Sequence, residues 1–62
     1  MSEAKRVQES EIGVGTVMLC LGVRRSIVAA SPHSKYKGWR VVYDNDGWTL
    51  TLIPGQSWWV EA

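Results

Sequence analysis

The stretch that decides the fold is residues 38–60, GWRVVYDNDGWTLTLIPGQSWWV, which contains all four tryptophans of the chain. Within it, the segment Asp44-Asn45-Asp46-Gly47 separates two runs of aromatic and β-branched residues. Asp at the first position and Gly at the fourth are typical of a type I turn. The stretch therefore predicts a β-hairpin, and the core of the protein has to be built around it.

The register of this hairpin depends on the length of its loop, because side chains alternate between the two faces of a strand. A loop of two or four residues collects the large apolar side chains on one face: Trp39, Val41, Tyr43, Trp48, Leu50 and Leu52. The opposite face then carries Arg40, Val42, Thr49, Thr51 and Ile53. A three-residue loop with a bulged Gly47 has equally good turn chemistry, but it sets Arg40 beside Leu50 and Leu52. We expect the even loop, since it keeps the aromatic side chains together.

A second turn follows at Pro54-Gly55-Gln56-Ser57, where Pro presets one turn position and Gly can adopt a positive φ at the next. We expect a third strand at residues 58–61 after this turn. Trp58 and Trp59 are consecutive, so on a strand they point to opposite faces and cannot both enter one core. An exposed Trp near an Arg has the composition of a protein-interface hot spot. The alternative is that both rings serve core packing or a dimer contact.

The N-terminal half contains weaker patterns for secondary structure. Residues 1–10 are polar and lack an apolar period, which predicts a flexible N-terminal arm, and residues 11–62 then form a single small β domain. Residues 17–30 favour strands because they follow two glycines and are rich in β-branched residues, although a helix interrupted at Gly22 is an alternative. Residues 31–38, SPHSKYKG, are typical of a loop.

These elements predict an all-β fold with about five short strands. The pattern fits a small antiparallel barrel or meander similar in size to an SH3 domain. A chain of 62 residues lies near the lower limit at which a core is stable without a metal or a disulfide, so oligomerisation is also compatible with the sequence.

Charge and cysteine content narrow the possible partners and the compartment. The net charge of +1 argues against duplex DNA or an anionic membrane as the partner. Arg24 and Arg25 interrupt the apolar run of residues 12–30, which argues against a membrane span. Cys20 is the single cysteine and cannot form an internal disulfide, so we expect a soluble, cytoplasmic protein.

The residue types that usually carry chemistry all have simpler interpretations here. His33 has no neighbouring metal ligands in the sequence and is interpreted as a solvated loop residue. Cys20 lies in the most apolar run and is interpreted as a core residue. Asp44 and Asp46 lie at a tight turn, where Asp accepts hydrogen bonds from its own backbone. We therefore expect no catalytic, cofactor or metal site and no enzymatic activity.

Two binding hypotheses remain. The first is a small non-enzymatic module, an accessory or inhibitory protein, that docks a protein partner or a second copy through an aromatic surface. Its binding residues would be Trp58, Trp59, Trp39 and Arg40. The second is a single-stranded nucleic-acid-binding protein that stacks bases on aromatic rings and contacts phosphates with Lys and Arg. Its binding residues would be Arg24, Arg25, Lys35, Tyr36 and Lys37, together with Trp39 and Arg40.

Overall fold

The computed structural model describes residues 3–62 and shows an all-β protein, as the sequence predicts. Six strands and one short 3₁₀ helix form within these residues. The strands are β1 (Ala4–Gln8), β2 (Val17–Cys20), β3 (Val23–Pro32), β4 (Arg40–Asp44), β5 (Thr49–Leu52) and β6 (Ser57–Glu61); the 3₁₀ helix is Glu9–Glu11. No helix among these residues is long and apolar enough to cross a membrane.

All strands belong to one antiparallel sheet with the order β1-β6-β2-β3-β4-β5. Strands β2 to β5 follow one another as neighbours, whereas β6 returns to pair with β2 and β1 pairs with the far side of β6. Strand β3 is ten residues long and pairs with both β2 and β4. Its register shifts between Ile27 and Ala29, where Val28 is the extra residue of a bulge that increases the local twist.

The segment of residues 17–30 is therefore two strands, and the alternative of an interrupted helix is wrong. Cys20 pairs with Val23 at the end of the β2–β3 hairpin. The two residues between them, Leu21 and Gly22, have φ angles of 51° and 78°. Positive φ at both central residues is the geometry of the two-residue turns that suit the twist of a hairpin. Gly22 therefore turns the strand instead of interrupting a helix.

The N-terminal segment differs from the expected flexible arm of residues 1–10. Residues 4–8 form β1, which pairs with β6 from Ala4–Glu61 to Gln8–Ser57. The Glu9 N–H then donates to the Gln56 carbonyl at 2.9 Å. Residues 1 and 2 lie outside the described residues. The strand forms without an apolar period because main-chain hydrogen bonds hold it, and only Val7 of its side chains is partly buried.

The core is small and takes one buried apolar side chain from each of the strands β2 to β6. These residues are Met18, Ile27, Val42, Leu52 and Val60, and Ile12 from the segment after the 3₁₀ helix joins them. Five partly buried side chains pack around this cluster: Val7, Cys20, Trp48, Leu50 and Trp58. The core thus lies on one face of the curved sheet, and the other face is free to carry exposed side chains.

The β4–β5 hairpin has the register that the sequence analysis disfavoured. Arg40 pairs with Leu52 and Tyr43 pairs with Thr49, which leaves residues 45–47 as a three-residue loop. Gly47 has a φ of 86°, as a bulged glycine after a type I turn requires. The expected even loop is therefore wrong. The inward face carries Arg40, Val42 and Asp44, and the outward face carries Val41 and Tyr43.

Two charged side chains can face inward because the chain itself supplies their partners. Arg40 donates from Nη1 to the Ile12 carbonyl at 2.7 Å and from Nη2 to the Glu9 carbonyl, and Nη2 lies 3.3 Å from Glu9 Oε2. Asp44 is 5% exposed and forms an ion pair with Arg25 at 3.1 Å. A charge that is paired and hydrogen-bonded can be buried, so the aromatic pattern alone does not determine the register.

Candidate functional site

Trp58 and Trp59 lie on opposite faces of β6, as the pleat predicts. Trp58 packs against the core, and its Nε1 is buried without an acceptor among residues 3–62. Trp59 points to the other face and is 50% exposed. Val60 returns to the core and confirms the alternation. Trp59 is therefore the tryptophan of this pair that a partner can reach.

Arg6 of β1 is the residue that holds Trp59 in place. The two residues are direct cross-strand partners, and the guanidinium carbon of Arg6 lies 6.0 Å from the centroid of the indole. Arg6 Nε donates to Ser57 Oγ at 2.8 Å, which fixes the guanidinium beside the ring. A cation at this distance over a Trp ring is attracted by the negative face of the π-system. The contact places a cation beside the half-exposed indole.

A second arginine lies on the same outward face. Arg24 of β3 contacts Glu61 of β6 through two atoms, with Nε 2.6 Å from Oε2 and Nη2 2.9 Å from Oε1. Glu61 is two residues after Trp59, so both side chains leave β6 on one face. The Arg24 side chain is 63% exposed, which leaves its remaining donors open to solvent. We call this region the Trp59 surface; it comprises Arg6, Arg24, Ser57, Trp59 and Glu61.

The other residues predicted for partner binding lie elsewhere. Trp39 precedes β4, which is separated from β6 by β2 and β3, and its ring contacts His33 and Tyr36. Arg40 turns inward to Glu9 and Ile12. The structure thus places neither Trp39 nor Arg40 in the Trp59 surface. Arg6 takes the place expected for Arg40, and sequence analysis missed it because Arg6 fell in the expected flexible arm.

A second group of aromatic and basic side chains lies in the loop between β3 and β4. The Tyr36 ring lies 4.3 Å from the Trp39 ring and 5.1 Å from the His33 ring, measured between centroids. Tyr36 is 52% exposed, and Lys35 and Lys37 are exposed beside it. We call these five residues the loop cluster. It brings together part of the predicted nucleic-acid set.

His33 is a structural member of this cluster. Its Nδ1 accepts the backbone N–H groups of Lys35 at 3.0 Å and of Tyr36 at 3.2 Å. The backbone N–H of His33 donates to the Trp39 carbonyl at 2.9 Å. The imidazole thus accepts two main-chain N–H groups of the loop and helps to fix the loop conformation. The histidine is half-buried, which corrects the expectation of a simply solvated side chain.

The remaining arginines of the predicted nucleic-acid set are separated from the loop cluster. Arg25 contacts Asp44, and its guanidinium carbon lies 5.3 Å from the centroid of the Trp48 ring. Arg24 belongs to the Trp59 surface. Only Lys35, Tyr36 and Lys37 of that set therefore lie together, with Trp39 as their aromatic neighbour.

The surroundings of Asp44 and Cys20 shift the pKa of their side chains. Burial acts to raise the pKa of Asp44, but the N–H groups of Asp46 and Trp48, at 2.9 and 2.8 Å, and the Arg25 guanidinium outweigh it. The net pKa of Asp44 lies below its ordinary value, and the predicted interpretation as a turn-capping Asp is confirmed. Burial raises the pKa of the Cys20 thiol, and Arg25 opposes this more weakly. The thiol is therefore a poor nucleophile at neutral pH.

Among residues 3–62, no group of three or more His, Cys, Asp or Glu side chains is placed to hold a metal ion. An open groove of about 360 Å³ lies between β1, β6 and the start of β2. Its lining includes Lys5, Glu11 and Glu61 beside Val17 and Val60.

No family model, curated protein or solved structure matches the chain.

Proposed function

We propose that this protein is a small non-enzymatic interaction module that docks a protein partner through the Trp59 surface. The observation that carries the proposal is a half-exposed indole held by Arg6 on a hydrogen-bonded pair of strands. An exposed Trp ring lacks the favourable hydrophobic free energy that burial would give it. Trp and Arg are also among the residues most enriched in interface hot spots.

The Trp59 surface is ordered by the chain itself. The hydrogen bond from Arg6 to Ser57 and the pairing of β1 with β6 fix the positions of both the cation and the ring. Binding to such a surface orders few additional side chains, so less free energy is lost when the complex forms. This rigidity supports a docking role more than a role in core packing, since the ring is already held without being buried.

The charges around Trp59 indicate the chemistry of the partner. Arg6 lies beside the indole, and Arg24, on the same face, pairs with Glu61. A complementary partner offers an apolar pocket for the ring and a rim of carboxylates for the arginines. We expect the association rate to fall as salt rises, because rim charges mainly steer the encounter.

The proposal is tested by comparing Trp59→Ala with Tyr36→Ala. The two side chains are equally exposed, at 50% and 52%, but they lie on different surfaces. Immobilised wild type and Tyr36→Ala should retain the same proteins from a lysate of the source cells, and Trp59→Ala should lose them while remaining folded. Equal retention by all three folded proteins would contradict docking through the Trp59 surface.

A second candidate function rests on the loop cluster. Tyr36 stacks on Trp39 with one face, and its exposed part lies beside Lys35 and Lys37. Single-stranded nucleic acid binds to such combinations by stacking on the ring and by phosphate contacts to the lysines. The positive charges that remain unpaired in this loop favour this site over Arg25 and Arg40, which are engaged internally.

The same two variants test the second candidate. Titration with a single-stranded oligonucleotide should quench the tryptophan fluorescence of wild type and of Trp59→Ala, with an affinity that weakens as salt rises. Tyr36→Ala should bind less tightly by about 1–3 kcal/mol, the range for one base–aromatic stack. Absence of quenching at low salt would rule this candidate out without affecting the protein-docking proposal.

A further inference from the structure

Strand β5 is an open edge of the sheet. The Asp44 N–H donates to the Trp48 carbonyl at 2.9 Å, and in an antiparallel pair every second residue forms such hydrogen bonds. By this alternation the main-chain groups of Leu50 and Leu52 point toward β4, and those of Thr49 and Thr51 point away from it. No strand of residues 3–62 pairs with this side of β5, and no hydrogen bond from these residues reaches the main-chain groups of Thr49 or Thr51.

The two edges of the sheet differ in the protection they carry. Strand β1 has Lys5 and Arg6 in its centre, and charged residues on an edge discourage pairing with another chain. Strand β5 reads TLTL, and no charged residue occurs anywhere in residues 47–60. It contains no proline and no bulge. The β5 edge therefore lacks the features that usually prevent edge-to-edge association.

We propose that β5 pairs with β5 of a second copy of this chain and forms an antiparallel dimer. A two-fold axis beside Leu50 places Thr49 opposite Thr51 of the second copy, and the reverse pair follows by symmetry. Each such pair exchanges two main-chain hydrogen bonds. Threonines directly opposite one another are favourable cross-strand neighbours, and the half-buried Leu50 meets its own copy across the axis.

The occupant is a second copy because this edge is complementary to itself. An uncharged strand that runs antiparallel to its own copy brings no like charges together. Strand β1 behaves differently, since full overlap of two copies places Arg6 opposite Arg6. Pairing of β5 with β1 of another copy is heterologous and would continue into an open chain of molecules, whereas the β5 pair closes after two.

The size of the protein is consistent with this dimer. Within residues 3–62 the core consists of six buried side chains, a small number for an independently stable domain. A dimer joins two sheets into one and covers the β5 edge of each copy. It uses neither the Trp59 surface nor the loop cluster, so its success or failure is independent of the proposed functions.

Sedimentation of the untagged chain over a range of concentrations tests the proposal. Wild type should sediment as two chains, and the double variant Thr49→Lys, Thr51→Lys should raise the dissociation constant by at least about tenfold, because lysines then oppose each other in both pairs. Ala4→Lys adds a lysine to the other edge and is the matched control; it should remain dimeric.

Hydrogen exchange of the wild type supplies a readout that does not depend on a variant. Among residues 3–62 the amides of Thr49 and Thr51 have no acceptor, but each gains one in the dimer, so they should be protected at high concentration and lose protection on dilution. Fast exchange of both amides in the wild type at every concentration would overturn the proposal. A single chain throughout the range, or dissociation caused by Ala4→Lys, would overturn it as well.

Discussion

The inward face of the β4–β5 hairpin and the outward face of β6 depart from the usual distribution of side chains in opposite directions. The hairpin turns Arg40 and Asp44 toward the core, whereas β6 turns Trp59 toward solvent. The inward charges have hydrogen-bond and ion-pair partners within the chain. The outward indole ring of Trp59 instead contacts the Arg6 guanidinium, 6.0 Å from its centroid. Arg40 and Asp44 are therefore structural residues, and Trp59 remains half exposed.

The largest effect on stability is expected at Trp58, the inward-facing neighbour of Trp59. We expect Trp58→Ala to lower the free energy of unfolding by about 3 kcal/mol, because a large side chain is removed from the edge of the core. Trp58→Phe should cost much less, since Nε1 has no acceptor to lose among residues 3–62. Urea unfolding measures both. Equal losses for the two variants would show that Nε1 has a partner.

Asp44→Asn should have the next largest effect. The carboxylate accepts two backbone N–H groups and pairs with Arg25, and an amide keeps only part of these contacts. We expect the melting temperature to fall on the order of 10 °C. Asp46→Asn changes a neighbouring exposed carboxyl in the same turn and serves as the control, with little change expected. Similar melting of both variants would place Asp44 outside the inward network.

The lowered pKa of Asp44 also predicts a dependence on pH. Its carboxyl is more acidic in the folded than in the unfolded chain, so the resulting stability is present above the ordinary value of 3.8. It is lost as the pH falls from there through the lowered pKa. Thermal unfolding between about pH 5 and 2 should therefore show a steeper decline for wild type than for Asp44→Asn. Parallel declines would contradict this.

Parts of this arrangement can be predicted from local sequence and parts cannot. The turn at residues 44–47 and the alternation of Trp58 and Trp59 are local features, and the structure agrees with both. The register depends on partners that are remote in sequence: Arg25 for Asp44, and the Ile12 carbonyl for Arg40. Strand β1 depends on main-chain hydrogen bonds to β6, which leave no pattern in its side chains. For the same reason Arg6 could not be assigned to the candidate site.

A smaller effect is expected at Gly47, which closes the three-residue loop. Its φ of 86° disfavours any side chain, so Gly47→Ala should destabilise the protein by about 1 kcal/mol. Gly13 lies outside the left-handed region and has open space around its Cα. Gly13→Ala is therefore the control and should be near neutral in chemical unfolding. Tolerance of alanine at Gly47 would point to the even loop.

The smallest effect on stability is expected for Trp59→Ala. The ring is half exposed, so its removal should change the free energy of unfolding by less than about 1 kcal/mol, although it abolishes docking in the proposed function. Unfolding of this variant beside Trp58→Ala compares two adjacent tryptophans that differ in the face they occupy. A loss as large as that of Trp58→Ala would mean that Trp59 is a core residue.

The register of the β4–β5 hairpin is the central claim, since it turns Arg40 and Asp44 inward and leaves Thr49 and Thr51 on the open edge. Proton NMR tests it through contacts between Hα atoms, which are closest in the pairs of an antiparallel sheet that exchange no hydrogen bonds. The structure predicts Hα contacts of Tyr43 with Thr49 and of Val41 with Thr51. Contacts of Tyr43 with Trp48, or of Val41 with Leu50, would contradict the register.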